Sequence, residues 1–144
     1  MNEPSRSFTF QVLGGRYAVV RLDADAPLPG WATAGDFFSV TRTADELSIV
    51  CRRELLPAGV LASADWSCMK LVGPFAFDDT GIVASVTTTI AGAGLGVFVV
   101  STYDGDHILV KAADLDAAVS ALLAGGHVVR VSDGSAGQAP AAAA

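Results

Sequence analysis

Two short stretches carry the residue types from which a binding chemistry could be built. In Phe77-Asp78-Asp79-Thr80-Gly81-Ile82-Val83-Ala84, two carboxylates, a hydroxyl and a glycine stand where a strand pattern gives way to a helix pattern. The first N–H groups of a helix have no partner inside it, so a helix start accepts a carboxylate, and a glycine there admits a ligand to the backbone. The plainer reading has Asp79 or Thr80 merely capping the helix. The second stretch runs from Val99 to Val110, where Ser101-Thr102-Tyr103-Asp104-Gly105-Asp106 forms a polar turn between apolar strands. Turn chemistry alone explains a glycine between two aspartates, and on that reading Asp104 and Asp106 are solvated.

Other chemistries fit less well. Gly92, Gly94 and Gly96 follow a helix pattern, where a nucleotide-binding fingerprint precedes one, so they read as a helix end. His107 and His127 have no acidic partner at metal or catalytic spacing, and Ser67, Cys68 and Ser101 lack the surroundings of an activated nucleophile. Trp31 and Trp66 read as core or domain-junction residues. No acid–base pair or nucleophile emerges, so the chain is expected to be non-catalytic and to need no cofactor or metal.

Composition narrows the partners. The formal charge is −6, from 15 acidic against 9 basic residues, and the basic ones are scattered, which disfavours nucleic acid. Cys51 and Cys68 stand 17 residues apart without a CxxC pattern and read as small buried hydrophobes in a reducing compartment. The opening Met1 to Ser7 lacks the pattern of a secretory signal, and no apolar run is long enough to span a bilayer, so a cytoplasmic protein with no membrane partner is expected.

The elements that must position these residues can be read from periodicity. Alternation over Phe8, Phe10 and Val12, then Gly14-Gly15, then Tyr17 to Leu22, predicts a hairpin of strands over 8–13 and 16–23. Pro27, Pro29 and Gly30 leave room for one helical turn around Trp31. Phe37 to Arg42 and Leu47 to Arg52 predict a second hairpin, and Glu54 to Asp65 a connector. Met69 to Phe75 reads as a strand. Thr80 to Ala93 reads as a helix with Ile82, Val83, Val86 and Ile90 on its inner face. Val97 to Thr102 and His107 to Lys111 form a hairpin. Asp114 is expected to cap a last helix in which Leu115, Val119, Leu122 and Leu123 share a face, and His127 to Val131 is a last strand. At an offset of 60, Phe38, Thr41, Glu46, Ile49 and Val50 fall on Phe98, Ser101, Asp106, Leu109 and Val110, so the halves read as diverged copies. A β-β-α-β-β-α-β order argues an α+β fold with antiparallel sheets.

Asp79-Thr80-Gly81-Ile82-Val83-Ala84 followed by Ala91-Gly92-Ala93-Gly94-Leu95-Gly96-Val97 resembles the sequence pattern of ACT domains. Ser101-Thr102-Tyr103, then Asp106 and Ile108-Leu109-Val110, resembles the narrower signature of a branch that includes cytosolic arginine sensing and small bacterial tandem-ACT proteins. Phe38 to Cys51 is similar to the first domain of the bacterial members. The resemblance spans roughly residues 8 to 131 and implies two tandem ACT-like, ferredoxin-like subdomains. The first, degenerate, covers 1–65 and the second 66–132, with 133–144 a disordered tail.

Carried over by position, it implies a small-molecule ligand, an amino acid, whose α-carboxylate meets the backbone from Thr80 through Gly81 and Ile82 to Val83. Gly96 and Val97 would line the facing edge, Thr102, Tyr103 and Asp106 would supply polar contacts, and Asp79 a carboxylate for a cationic group. A homodimer and a regulated protein partner are the implied associations. The rival expectation is an ACT-type dimerisation or docking module without a working ligand site.

Overall fold

A computed structural model describes residues 6–73, 75 and 79–131. Asp78 and the expected tail over 133–144 lie outside the described residues. The elements are β1 (Thr9–Val12), β2 (Tyr17–Leu22), β3 (Ser39–Arg42), β4 (Leu47–Arg52), β5 (Ala62–Leu71), α1 (Ile82–Gly92), β6 (Phe98–Ser101), β7 (Asp106–Lys111), α2 (Leu115–Ala124) and β8 (Val128–Val131), with short 3-10 turns at Gly30–Thr33, Arg53–Leu55 and Ala112–Asp114. The class is α+β, with mainly antiparallel pairing.

The chain divides into two compact units, Met1–Gly14 with Cys68–Ala144, and the inserted Gly15–Ser67. The division at 67/68 lies two residues from the expected 65/66, but the segment up to Gly14 joins the C-terminal unit rather than the N-terminal one, and the reason is the first strand. β1 does not form a hairpin with β2. It pairs antiparallel with β5, Phe10 opposite Leu71 and Val12 opposite Met69, and parallel with β8, Thr9 opposite Val128 and Val12 opposite Val131. β2 pairs instead with β4 and with the start of β5. Gly14-Gly15 therefore carries the chain onward into the inserted unit rather than folding it back.

In the discontinuous unit the strands are ordered β6-β7-β5-β1-β8. Phe8, Phe10 and Val12 join Met69, Leu71, Ile108 and Val110 in one core, which both helices cover with Ile82, Val86 and Ile90 from α1 and Ala118 and Leu122 from α2. Spacings of four place the three α1 residues in one stripe, as the apolar period requires. Two assignments at the edges of these stripes change. Val83 and Leu123 face outward, 37% and 53% exposed, because each stands a single residue along the helix from a buried one, about 100° around the axis.

Each helix ends on a left-handed glycine, Gly94 at φ 80° and Gly126 at φ 91°. In both, the next residue reaches back to the carbonyl five positions earlier, Leu95 to Ile90 and His127 to Leu122, the closure that only glycine adopts without strain.

The inserted unit orders its strands β3-β4-β2-β5. No α-helix forms there among the described residues. Ala18, Val20, Leu47, Ile49 and Cys51 are covered by Ala32 and Trp31 from the 3-10 turn and by Leu56 and Val60. Pro27 and Pro29 rule out a longer helix, and Arg42 holds the segment by donating to the carbonyls of Ala24 and Ala26. The expected connector over Glu54 to Asp65 is shorter, since β5 begins at Ala62.

The internal repeat is present in the structure, one residue out of the sequence register. Arg42 pairs with Leu47 as Ser101 pairs with Asp106. Thr43 N–H and Oγ1 both bond the Glu46 carbonyl, as Thr102 N–H and Oγ1 both bond that of Gly105. The counterpart of Asp106 is thus Leu47, fully buried, rather than Glu46.

Replacing Ile90, wholly buried, with alanine is expected to lower the free energy of urea unfolding by about 2–5 kcal/mol, whereas Leu123→Ala stays within about 0.5 kcal/mol; equal losses would show the α2 face to be misassigned.

His127, buried against Phe8, accepts the Phe8 N–H at Nδ1 over 3.0 Å. Burial pushes its pKa below the ordinary 6.5. The unfolded chain therefore binds the proton more readily. The stability this group contributes is complete above about pH 6.5 and is lost as pH falls through the lowered value. Denaturant midpoints measured from pH 7 to 5 should decline, and His127→Phe should flatten that part of the decline.

Candidate functional site

The two stretches singled out by their chemistry meet in the discontinuous unit. A cleft of about 280 Å3 is lined by Phe75, Asp79, Gly81, Ile82, Val83, Ala84, Thr102, Tyr103, Gly105 and Asp106. This is just below the roughly 300–1,000 Å3 usual for drug-sized ligands. The start of α1 forms one wall and the β6–β7 turn the other.

At the α1 wall, Gly81 is the N-cap, with φ 81°, and as a glycine it brings no side chain to cap the helix. The N-cap position falls to Gly81 and not to Asp79 or Thr80. The first intrahelical bond runs from the Ser85 N–H to the Gly81 carbonyl at 2.9 Å, so Ile82, Val83 and Ala84 precede the helical ladder. Their N–H groups lie at the positive end of an eleven-residue helix. A side chain at Gly81 would be strained by the left-handed backbone.

At the turn wall, Asp106 is the first residue of β7 and is only 8% exposed. The solvated reading of this carboxylate is corrected. Ser101 Oγ donates to Asp106 Oδ1 at 2.5 Å, which fixes one oxygen and sets the side chain's orientation. The turn is closed by Thr102, whose N–H and Oγ1 donate to the Gly105 carbonyl at 2.7 and 3.0 Å while the Gly105 N–H returns to Thr102 Oγ1 at 3.3 Å. Tyr103, 76% exposed, stands at the rim.

Seven of the ten expected residues thus line one cleft: Asp79, Gly81, Ile82, Val83, Thr102, Tyr103 and Asp106. Thr80 lies between lining residues and does not line the cleft itself. Gly96 and Val97 follow the other end of α1, a helix length of about 16 Å from its start. Gly96 is exposed and Val97 packs on the core. Phe75, Ala84 and Gly105 line the cleft without having been expected there. Gly105 and Ala84 sat inside the quoted stretches. Phe75 carried no signal of its own in the sequence.

None of the described lining residues is basic, and two are carboxylates. His107, next to Asp106 on β7, has its pKa lowered by burial and by Lys70, with Asp106 acting in the opposite direction. Among the described residues no group of three histidine, cysteine or acidic side chains is placed to hold a metal ion, and no helix is long and apolar enough to cross a membrane.

Comparisons with known proteins bear on the family and the fold. A family profile described as an N-terminal domain covers residues 15–59, and the ACT domain profile covers residues 61–124. A crystal structure of a protein from Agrobacterium tumefaciens is 45% identical, with a TM-score of 0.84 over 89% of this chain and 96% of that one. A Vibrio cholerae protein described as of unknown function and possibly in transport is 22% identical, with a TM-score of 0.68 over 82% of this chain and 89% of that one. The regulatory subunit of aspartate kinase from Thermus flavus is 14% identical, with a TM-score of 0.55 over 83% and 96% of the two chains. These last two likenesses are of fold.

Proposed function

The chain belongs to one family with the Agrobacterium tumefaciens protein and carries an ACT domain over residues 61–124, and on that premise we propose that it is a non-catalytic regulatory module whose cleft binds a free amino acid. The observation that carries this reading is the convergence of the α1 start, with glycine at its N-cap, and the buried Asp106 on one small cleft. An α-carboxylate is complemented by the N–H groups of Ile82 to Ala84, and an α-ammonium by Asp106. Asp79 adds a second carboxylate, which favours a ligand with a further cationic group. The fold shared with an aspartate kinase regulatory subunit supports a regulatory role, exercised through a protein partner. The closer tie to the arginine-sensing branch rests on Ser101-Thr102-Tyr103 and Asp106. Cys51 and Cys68, both buried and unbridged, support a cytoplasmic setting.

A thermal-shift screen of the twenty amino acids is expected to yield a hit. A ligand at about a hundred times its Kd adds roughly 2.7 kcal/mol, or about 5–10 °C in a domain of this size. Asp106→Asn keeps an acceptor for Ser101 and removes the charge, so it should melt close to the parent and lose the shift. Twenty silent amino acids, with a tight protein partner recovered instead, would replace the sensor by a docking module.

Gly96 and Val97, away from the cleft, are left as the edge that a second copy would present, and a homodimer is the proposed assembly. Light scattering at tens of micromolar should give twice the chain mass; a single chain mass removes the dimer.

A further inference from the structure

Phe75, a wall of the cleft, is the end of a chain of aromatic contacts. Its N–H donates to the Asp104 carbonyl at 2.8 Å. Both Gly73 and Gly105 border its ring: a Cβ on Gly73 would stand 2.7 Å from the Asp104 carbonyl and 3.0 Å from the ring, and one on Gly105 would meet the ring in ordinary contact at 3.5 Å. The ring meets Phe8 edge-on, centroids 6.0 Å apart at 71°. Phe8 in turn stacks on His127 at 5.6 Å and 18°, and Phe10 closes on His127 edge-on at 5.7 Å. The Phe8 N–H donates to His127 Nδ1 at 3.0 Å, and the Val128 N–H returns to the Phe8 carbonyl at 2.9 Å.

We propose that His127 and Phe8 are positioning residues of the cleft: the neutral imidazole holds Phe8, and Phe8 holds the Phe75 wall. The proposal rests on the cleft as the ligand site, and its test uses no ligand. While Nδ1 accepts from Phe8, the ring proton is on Nε2. Protonation places a second N–H at Nδ1, opposite the Phe8 N–H, and the bond is lost because two donors face each other. It also sets a second cation on Phe8, whose ring already faces the Arg6 guanidinium at 5.0 Å.

Among the described residues the charged groups around this chain of rings are few. Arg6 approaches from the β1 side, and Arg130 lies on β8 itself. The end of α2 from Leu122 to Gly126 carries no charge. At the far end stand Asp79, Asp104 and Asp106 with His107, which titrates separately under Lys70 and Asp106. Burial is the cause of the lowered pKa at His127, so the neutral, holding state persists below pH 6.5.

The full-length, ligand-free protein tests this by NMR from pH 8 to 5. The amide resonances of Gly73 and Gly105, which border the Phe75 ring, are expected to move with one midpoint below about 6.5, shared with the Phe8 amide. In His127→Phe that transition disappears at all three amides, and in His107→Asn it remains. His127→Gln, which also cannot take up a proton, serves in the same way if the phenylalanine variant does not fold. Glycine amides that do not titrate, or that lose their transition only in His107→Asn, would overturn the proposal. A silent amino-acid screen would leave this result standing, and failure here would leave the ligand reading standing.

Discussion

The placement of Thr9–Val12 between β5 and β8 is the constraint on which the rest depends. It supplies Phe8, Phe10 and Val12 to the core beneath both helices. It also leaves the whole inserted unit in sequence between β1 and its partners β5 and β8, so the hairpins are local pairings and those of β1 are not. The same strand brings Phe8 to His127 and to Phe75, and so ties the frame of the unit to a wall of its cleft.

The cleft depends on two local devices. Gly81 starts α1 from a left-handed backbone with no side chain of its own at the N-cap, and the helix start that follows it lines the cleft. Ser101 then holds Asp106 at the start of β7, where the inserted unit's equivalent hairpin carries Leu47. One substitution type at one register position separates a core residue from a charged wall. A buried carboxylate in place of a leucine is unfavourable for folding unless its oxygens are bonded, which the Ser101 hydroxyl begins to do.

Much of this was legible in the sequence because the second half is periodic. Ile82, Val86 and Ile90 mark the inner face of α1, the glycines mark both helix ends, and the alternating strands around Thr102 to Gly105 mark the hairpin. The misreadings have a common cause. Local pattern gave the existence of β1 and β2 but could not choose their partners, since Gly14-Gly15 is compatible with a turn or with a strand that continues. For the same reason residue type alone aligns Glu46 with Asp106 in the repeat, where hydrogen-bond register aligns Leu47. Asp106 looked solvated because its neighbours are polar, and Phe75 was invisible because its position depends on contacts to Gly73, Gly105 and Phe8 that no spacing reveals.

The central claim is that a small amino-acid ligand sits between the α1 start and the β6–β7 turn. The most direct measurement is amide shift mapping on 15N-labelled protein titrated with the amino acid that raises its melting temperature most. The account predicts saturable shifts concentrated at Ile82, Val83, Ala84, Thr102, Gly105 and Asp106. Shifts centred instead on the inserted unit, around Ile49 and Trp31, or absent from the α1 start, would contradict it.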